Sequence, residues 1–201
     1  MKFNHTTFFN SYRGIYGKLN QVQVSGLENL LTYIEADPDV EDLRWAAYML
    51  ATVKHECADR YQPITEFGKK AYFNKYDAGT PIGKRLGNKV PGDGFLFRGR
   101  GFVQLTGRSN YQKLGQVLGL SPAEDLIAFP DNALHPDIAY RIMSYGMRTG
   151  LFTGKKLSDY IQGTKCDYVN ARRIINALDK AKLIAGYAIS FENALKNSVV
   201  G

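Results

Sequence analysis

VEDLRWAAYMLATVKHE, residues Val40 to Glu56, carries Leu43, Ala46, Ala47, Leu50 and Val53 at helical spacing with neither Gly nor Pro among them. That pattern predicts an amphipathic helix whose last turn holds Glu56. Upstream, Ser25 and Glu28 form a capping-box pattern ahead of Leu27, Leu30, Leu31 and Ile34, which predicts a helix over residues 26–35 that Pro38 ends. Downstream, helices are expected over 110–118, from the Ser121-Pro122 cap, over 136–147 up to Gly150, and once or twice between Asp167 and Lys196. The last of these places Leu183, Ile184, Tyr187, Ala188, Phe191 and Leu195 on one side. Strand-type alternation is scarce, so the expected class is mainly α.

Between Arg60 and Gly101 the character changes, with Gly and Pro punctuating the chain from Pro63 to Gly99 at short intervals. A long ordered loop is costly in chain entropy and is usually functional. The expectation is therefore a single domain over residues 1–201, with an irregular, cleft-forming lobe over about 60–101, at most a short β-hairpin, and no separate wall-binding domain. No repeat or low-complexity linker argues otherwise.

Composition narrows the function. The chain has 201 residues, 44% of them hydrophobic, which is enough for a core and excludes a disordered polymer. Twenty-six basic residues against nineteen acidic give a net charge of +7, a field that attracts nucleic acid, anionic membrane or the acidic bacterial wall. The Tyr and Phe residues sit mostly at core-like helical positions and accompany no nucleic-acid motif, so no nucleic-acid partner is expected. Cys57 and Cys166 exclude a disulfide-rich scaffold and are expected to be two thiols. His55-Glu56 lacks the second His one turn on that a helical zinc site needs, position 59 being Asp, so neither metal nor cofactor is expected. The N-terminus shows no apolar export segment, which predicts synthesis in a host cytoplasm.

HECADRYQPITEFG sets Glu56 at a helix end and Glu66 in a loop that Pro63 keeps out of helical geometry. Two acids on different elements can serve a glycosidase, which needs one carboxyl to protonate the leaving oxygen and another, ionised, to activate water or attack. The negative end of the helix macrodipole favours the protonated acid at Glu56, and the wetter loop suits Glu66 as base. FRGRGFVQLTGRSNY, Phe97 to Tyr111, follows, and alternation through Phe102 to Thr106 predicts an extended segment with Gln104 and Thr106 on one face, chemistry suited to sugar hydroxyls, N-acetyl groups and a positioned water.

These strings, HE then ITEFG, Leu86-Gly87-Asn88, Gly92-Asp93-Gly94 and RGRGFVQLTGRSNY, together resemble glycoside hydrolase family 19, and within it the compact phage endolysins of the chitinase-like lysozyme type. The resemblance runs from the N-terminal helices through Tyr111 and more weakly to RRIIN at Arg172 to Asn176. It implies a lysozyme-like helical fold and an inverting hydrolysis with Glu56 as general acid and Glu66 as general base. Thr106 matches the Ser or Thr that helps hold the attacking water, and Gln104, Asn110 and Asn176 match sugar-binding positions. Arg100 and Tyr111 of the same string are assigned beside them to the substrate cleft. The family commonly follows the last of these Asn residues with Gly-Gly, where this chain has Ala177-Leu178, and Phe97 stands where Tyr is frequent.

The resemblance implies a monomeric endolysin that cuts peptidoglycan between N-acetylmuramic acid and N-acetylglucosamine, reaching the periplasm after release through a holin-type pore. A chitinase, using the same acids on β-1,4 N-acetylglucosamine, and a non-catalytic glycan-binding domain are the alternatives. Arg172, Arg173, Lys180, Lys182 and Lys196 read as a solvated helical face, or as a basic amphipathic end that contacts the anionic envelope.

Overall fold

The computed structural model describes residues 1–200. Its helices are α1 (His5–Tyr16), α2 (Gln21–Ala36), α3 (Leu43–Glu56), α4 (Pro81–Arg85), α5 (Asp93–Leu96), α6 (Arg108–Val117), α7 (Pro136–Thr149), α8 (Leu157–Tyr160), α9 (Tyr168–Ala171) and α10 (Ala181–Ser198). The strands, each two residues long, are β1 (Ile64–Thr65), β2 (Arg100–Gly101), β3 (Ile161–Gln162) and β4 (Lys165–Cys166). The class is mainly α, as expected. The chain divides into two compact units, Met1–Gln62 with the chain from Met143 onward, and Pro63–Ile142.

In the first unit α3 is the central element. Asp42 caps it by accepting from the Arg44 N–H, and every residue from Ala46 to Lys54 is buried, because Ala46, Ala47 and Ala51 let neighbours approach closely. α10 lies along α3, α1 and α9. Its Ile184, Ala188, Phe191, Ala194 and Leu195 are buried there, so the apolar face considered for envelope contact is spent on the core, while Leu183 stays exposed. α2 starts earlier than expected: Asn20 and Gln23 make the reciprocal capping box, each side-chain oxygen accepting the other's backbone N–H at 2.9 Å. α1, not foreseen, is capped by Asn4 and buries Phe8, Phe9 and Tyr12. β3 and β4 pair as a hairpin, and no disulfide is formed, Cys57 being buried and Cys166 exposed.

α3 ends in a turn with positive φ at Ala58, Asp59 and Tyr61, non-glycine residues for which the left-handed region is costly. Lys54 secures it. The ammonium is buried, pairs with Asp59, donates to the hydroxyls of Tyr12 and Tyr61 at 3.4 Å, and lies 4.1 and 5.1 Å from the ring centroids of Tyr16 and Tyr187. Gly26 of α2 completes the clamp, since a Cβ there would lie 2.3 Å from the Tyr61 carbonyl oxygen.

In the second unit β1 and β2 pair antiparallel, Ile64 with Gly101 and Thr65 with Arg100, joining the two ends of the irregular segment rather than closing a local hairpin. Between them a 3-10 helix over Lys70–Tyr76 packs on α4 and α5. The Leu86-Gly87-Asn88 and Gly92-Asp93-Gly94 motifs are the frame of this region. Asn88 donates to the Tyr76 carbonyl and accepts from the Arg108 N–H, Asp77 accepts from the N–H groups of Gly92 and Gly94, and Asp93 is bridged to Arg108 at 2.6 Å.

Candidate active site

Glu56, the last residue of α3, presents its carboxyl in the first unit. Its Oε1 accepts from Arg172 Nη1 at 2.6 Å, and Oε2 takes no hydrogen bond from the described residues. The side chain is 19% exposed against 3% for Arg172, so a buried guanidinium holds one oxygen while the other is left to reach outward. Arg172 is itself oriented through Nε, which donates to the Asp179 carbonyl at 3.1 Å. Reading Arg172 as part of a solvated face is thus corrected: it lies at the junction of α9 with the 3-10 turn Arg172–Ile174, pointing inward, whereas Arg173 is exposed. Asn176, in the following turn, is exposed, with its Oδ1 accepting from the Ala177 N–H.

Glu66 follows β1 in the second unit. Its N–H donates to the Gly99 carbonyl at 2.7 Å, and its Oε2 accepts from the Gly99 N–H at 3.1 Å. Oε1 accepts from the Tyr76 hydroxyl at 3.2 Å. Each oxygen therefore accepts one hydrogen bond from the protein. Glycine at position 99 leaves room for both side chains, since a Cβ would stand 2.7 Å from Gln104 Oε1 and 3.1 Å from Glu66 Oε2 and would push their ends aside.

The expected extended segment over 102–106 is instead a turn, with Gln104 at φ +54. The β2 backbone folds back so that Arg100 and Leu105 exchange hydrogen bonds. Gln104 and Thr106 are still neighbours, for a different reason: the Thr106 hydroxyl donates to the Gln104 carbonyl at 2.8 Å. Gln104 Nε2 donates to the Ile64 carbonyl at 3.2 Å, and Asn110 Nδ2 to the Thr106 carbonyl at 2.7 Å. Glu66 with Gly99, and Gln104 with Thr106 and Asn110, therefore form two hydrogen-bonded sets that adjoin at Gly99.

Arg100 and Tyr111 are placed differently. Tyr111 is fully buried and donates to the Arg98 carbonyl, and Arg100, 3% exposed, donates to Asp131, to the Leu96 carbonyl and to the Tyr111 hydroxyl. Their polar groups are spent on protein partners, so they brace the Arg98–Gly101 backbone and offer no face to a sugar. A groove of about 620 Å³ runs along α6 past Lys89, Gln112, Gln116 and Asp125, but neither Glu66 nor Gln104 lines it.

Sequence reasoning missed Arg172, Tyr76 and Gly99 as partners of the two acids. For Arg172 the signal was the RRIIN string, and for Gly99 the RGRG repeat. Nothing in the sequence marked Tyr76.

No protein-family model matches the chain, and no curated protein matches it. In three dimensions it is similar to chitinase C from Streptomyces griseus HUT6037, with a TM-score of 0.58 and 19% identity over 96% of this chain and 76% of that one. It is also similar to a bacterial family 19 chitinase studied for its differences from plant enzymes, with a TM-score of 0.56 and 20% identity over 96% of this chain and 94% of that one. The chain thus has the fold of family 19 chitinases.

Proposed function

We propose that the chain is a peptidoglycan glycosidase of the endolysin kind, hydrolysing the β-1,4 bond between N-acetylmuramic acid and N-acetylglucosamine with inversion. The observation that carries this reading is the pair of carboxyls held in unlike ways on this fold. Glu56 has one oxygen fixed by Arg172 and the other open, and Glu66 has both oxygens held as acceptors. Glu56 donates its proton to the glycosidic oxygen as the C1–O bond breaks. Glu66 takes a proton from the water whose oxygen bonds to C1, and exchange with solvent restores both groups. Thr106 helps hold that water, and Gln104, Asn110 and Asn176 bind sugar amide and hydroxyl groups. The net charge of +7 supports an acidic wall polymer over a neutral one.

The second reading is a chitinase, favoured by the solved structures that share the fold. Glu56→Gln and Glu66→Gln are each expected to lower hydrolysis of purified peptidoglycan by at least about 100-fold. Retained activity in either variant refutes its role. Mass spectrometry of the digest separates the readings. A new muramic-acid reducing end supports the lysozyme-type cut, an anhydro end indicates a transglycosylase, and turnover of chitin oligomers alone supports the chitinase. Tight wall binding with no new ends indicates a binding module.

A further inference from the structure

Beside Glu66 the second unit carries a surface of cations set against aromatic rings. From Lys69 to Arg98 the chain has seven basic residues and two acids, Asp77 and Asp93. Both acids are committed: Asp77 accepts from the N–H groups of Gly92 and Gly94, and Asp93 accepts from those of Lys89 and Val90 and is bridged to Arg108. The salt bridges of this unit are Arg108–Asp93 and Arg100–Asp131, and among the described residues Lys69, Lys70, Lys75 and Arg98 have none.

Three of these cations, Lys70, Lys75 and Arg98, lie over rings. Lys75 Nζ lies 3.5 Å from the Tyr72 centroid and 4.7 Å from that of Tyr76, the residue whose hydroxyl holds Glu66. Lys70 Nζ is 6.0 Å and the Arg98 guanidinium 4.1 Å from the Phe95 centroid, and Phe95 meets Phe73 edge-on at 5.6 Å. Phe67, the residue after Glu66, is 99% exposed, in a loop pinned by Gly68, where a Cβ would meet Tyr72 at 2.9 Å. A cation on a ring face keeps its charge unneutralised, and although Arg98 Nη1 donates to the Phe95 carbonyl at 2.8 Å its other donors remain. So the ground beside Glu66 is positive and aromatic, and Tyr76 joins it to the Glu66 hydrogen bonds.

A neutral amino-sugar polymer offers nothing for such a surface to bind by charge. A glycan bearing acidic peptide branches does, since a branch on a sugar held at Glu66 brings its carboxylates to this ground. We infer that the surface from Phe67 through Lys70 and Lys75 to Arg98 is a subsite for the acidic peptide stem of the wall glycan, an inference that rests on the glycosidase reading above. Lys70, Lys75 and Arg98 meet its carboxylates, and Phe67 and Tyr72 cover its apolar parts.

The test compares the whole wild-type chain with K69Q/K70Q/K75Q, three exposed positions whose fold is checked by circular dichroism. On wall glycan with its peptides, against the same glycan stripped by an amidase, wild type is expected to show a kcat/KM preference of at least about tenfold, and the variant to lose most of it. Raising the salt on wild type alone should erode the preference in the same way. Binding of the free tetrapeptide L-Ala-γ-D-Glu-diaminopimelate-D-Ala, followed by NMR shifts, should weaken at least about fivefold in the variant. An equal rate on both glycans, or a preference untouched by substitution and salt, overturns the subsite. So does a variant whose sole loss is binding to phosphatidylglycerol vesicles, which marks a membrane-facing patch. If wild type cuts neither glycan the glycosidase reading fails, and the peptide arm still decides: equal binding by both proteins overturns the subsite, and weakened binding by the variant sustains it.

Discussion

Removing Arg172 tests whether Glu56 is held as the structure describes. Arg172→Met keeps a long apolar stem in a site where the native side chain is 3% exposed, and deletes two bonds, to Glu56 Oε1 at 2.6 Å and to the Asp179 carbonyl at 3.1 Å. A hydrogen bond to a charged group is worth roughly 1.5–3 kcal/mol and a neutral-acceptor bond about 1. Part is returned because Glu56, 19% exposed, can take water instead. The expected loss is about 2–4 kcal/mol, several degrees to about 15 °C in Tm for a chain of this size. Arg172→Lys restores charge but cannot span both acceptors with a planar fork, so it should recover less than half of that loss. Urea unfolding of wild type, Glu56→Ala, Arg172→Met and the double variant closes a cycle, with an expected coupling energy of about 1.5–3 kcal/mol. Coupling within the roughly 0.5 kcal/mol expected of independent sites refutes the pairing.

Gly99→Ala should displace Glu66 and Gln104, whose side chains a Cβ meets at 3.1 and 2.7 Å, and lower peptidoglycan hydrolysis by about tenfold or more while a wall pull-down still retains the protein; undiminished turnover refutes the crowding. Asp93 is held below the usual carboxylate range chiefly by Arg108 and also by the N–H groups of Lys89 and Val90, against the opposing effect of burial. A depressed folded value gives stability that is complete above the unfolded value of about 3.9 and is lost as pH falls through the folded one, so urea midpoints of wild type should drop more steeply between pH 5 and about 2 than those of Asp93→Asn. Parallel pH profiles reject that role. Lys54→Met releases Asp59 and empties the tyrosine cage, and hydrogen exchange across residues 57–61 should quicken by at least about tenfold; an unchanged rate means the turn needs no such anchor.

The central helix was legible because seventeen residues from Val40 to Glu56 combine regular apolar spacing with no breaker. α1 was not, since its HTTFFNSYRGIY sequence has two adjacent Phe and a Gly in its last turn in place of a clean stripe, and its burial depends on partners such as Phe191 at the far end of the chain. The β1–β2 pair was out of reach for a similar reason: two residues carry no periodicity, and Ile64 finds Gly101 far along the chain. Gln104 shows how a local rule misleads. Alternating polarity suggested a strand, but Gly101 and Gln104 both take positive φ and turn the backbone, and Gln104 and Thr106 stay neighbours through a hydrogen bond rather than pleat. The acids were visible as residue types in a spaced string, whereas Arg172, 116 residues from Glu56, looked like any surface arginine because its burial is a property of packing.

The two acids are supported by opposite strategies, and each suits its proposed role. Glu56 ends the most enclosed helix of its unit, where movement of the carboxyl requires movement of α3, and the strained turn behind it is locked by Lys54 and Asp59. A donor that must meet one oxygen at one moment gains from such rigidity, and Arg172 occupies only one of its two oxygens. Glu66 sits on a loop fixed by one backbone clamp and one hydroxyl, which together occupy two of the roughly four lone-pair positions of a carboxylate. The two that remain can accept from water without breaking either support, so the base can take a proton while its position is unchanged. A group that served merely to tie the loop would gain nothing from leaving half its acceptors open.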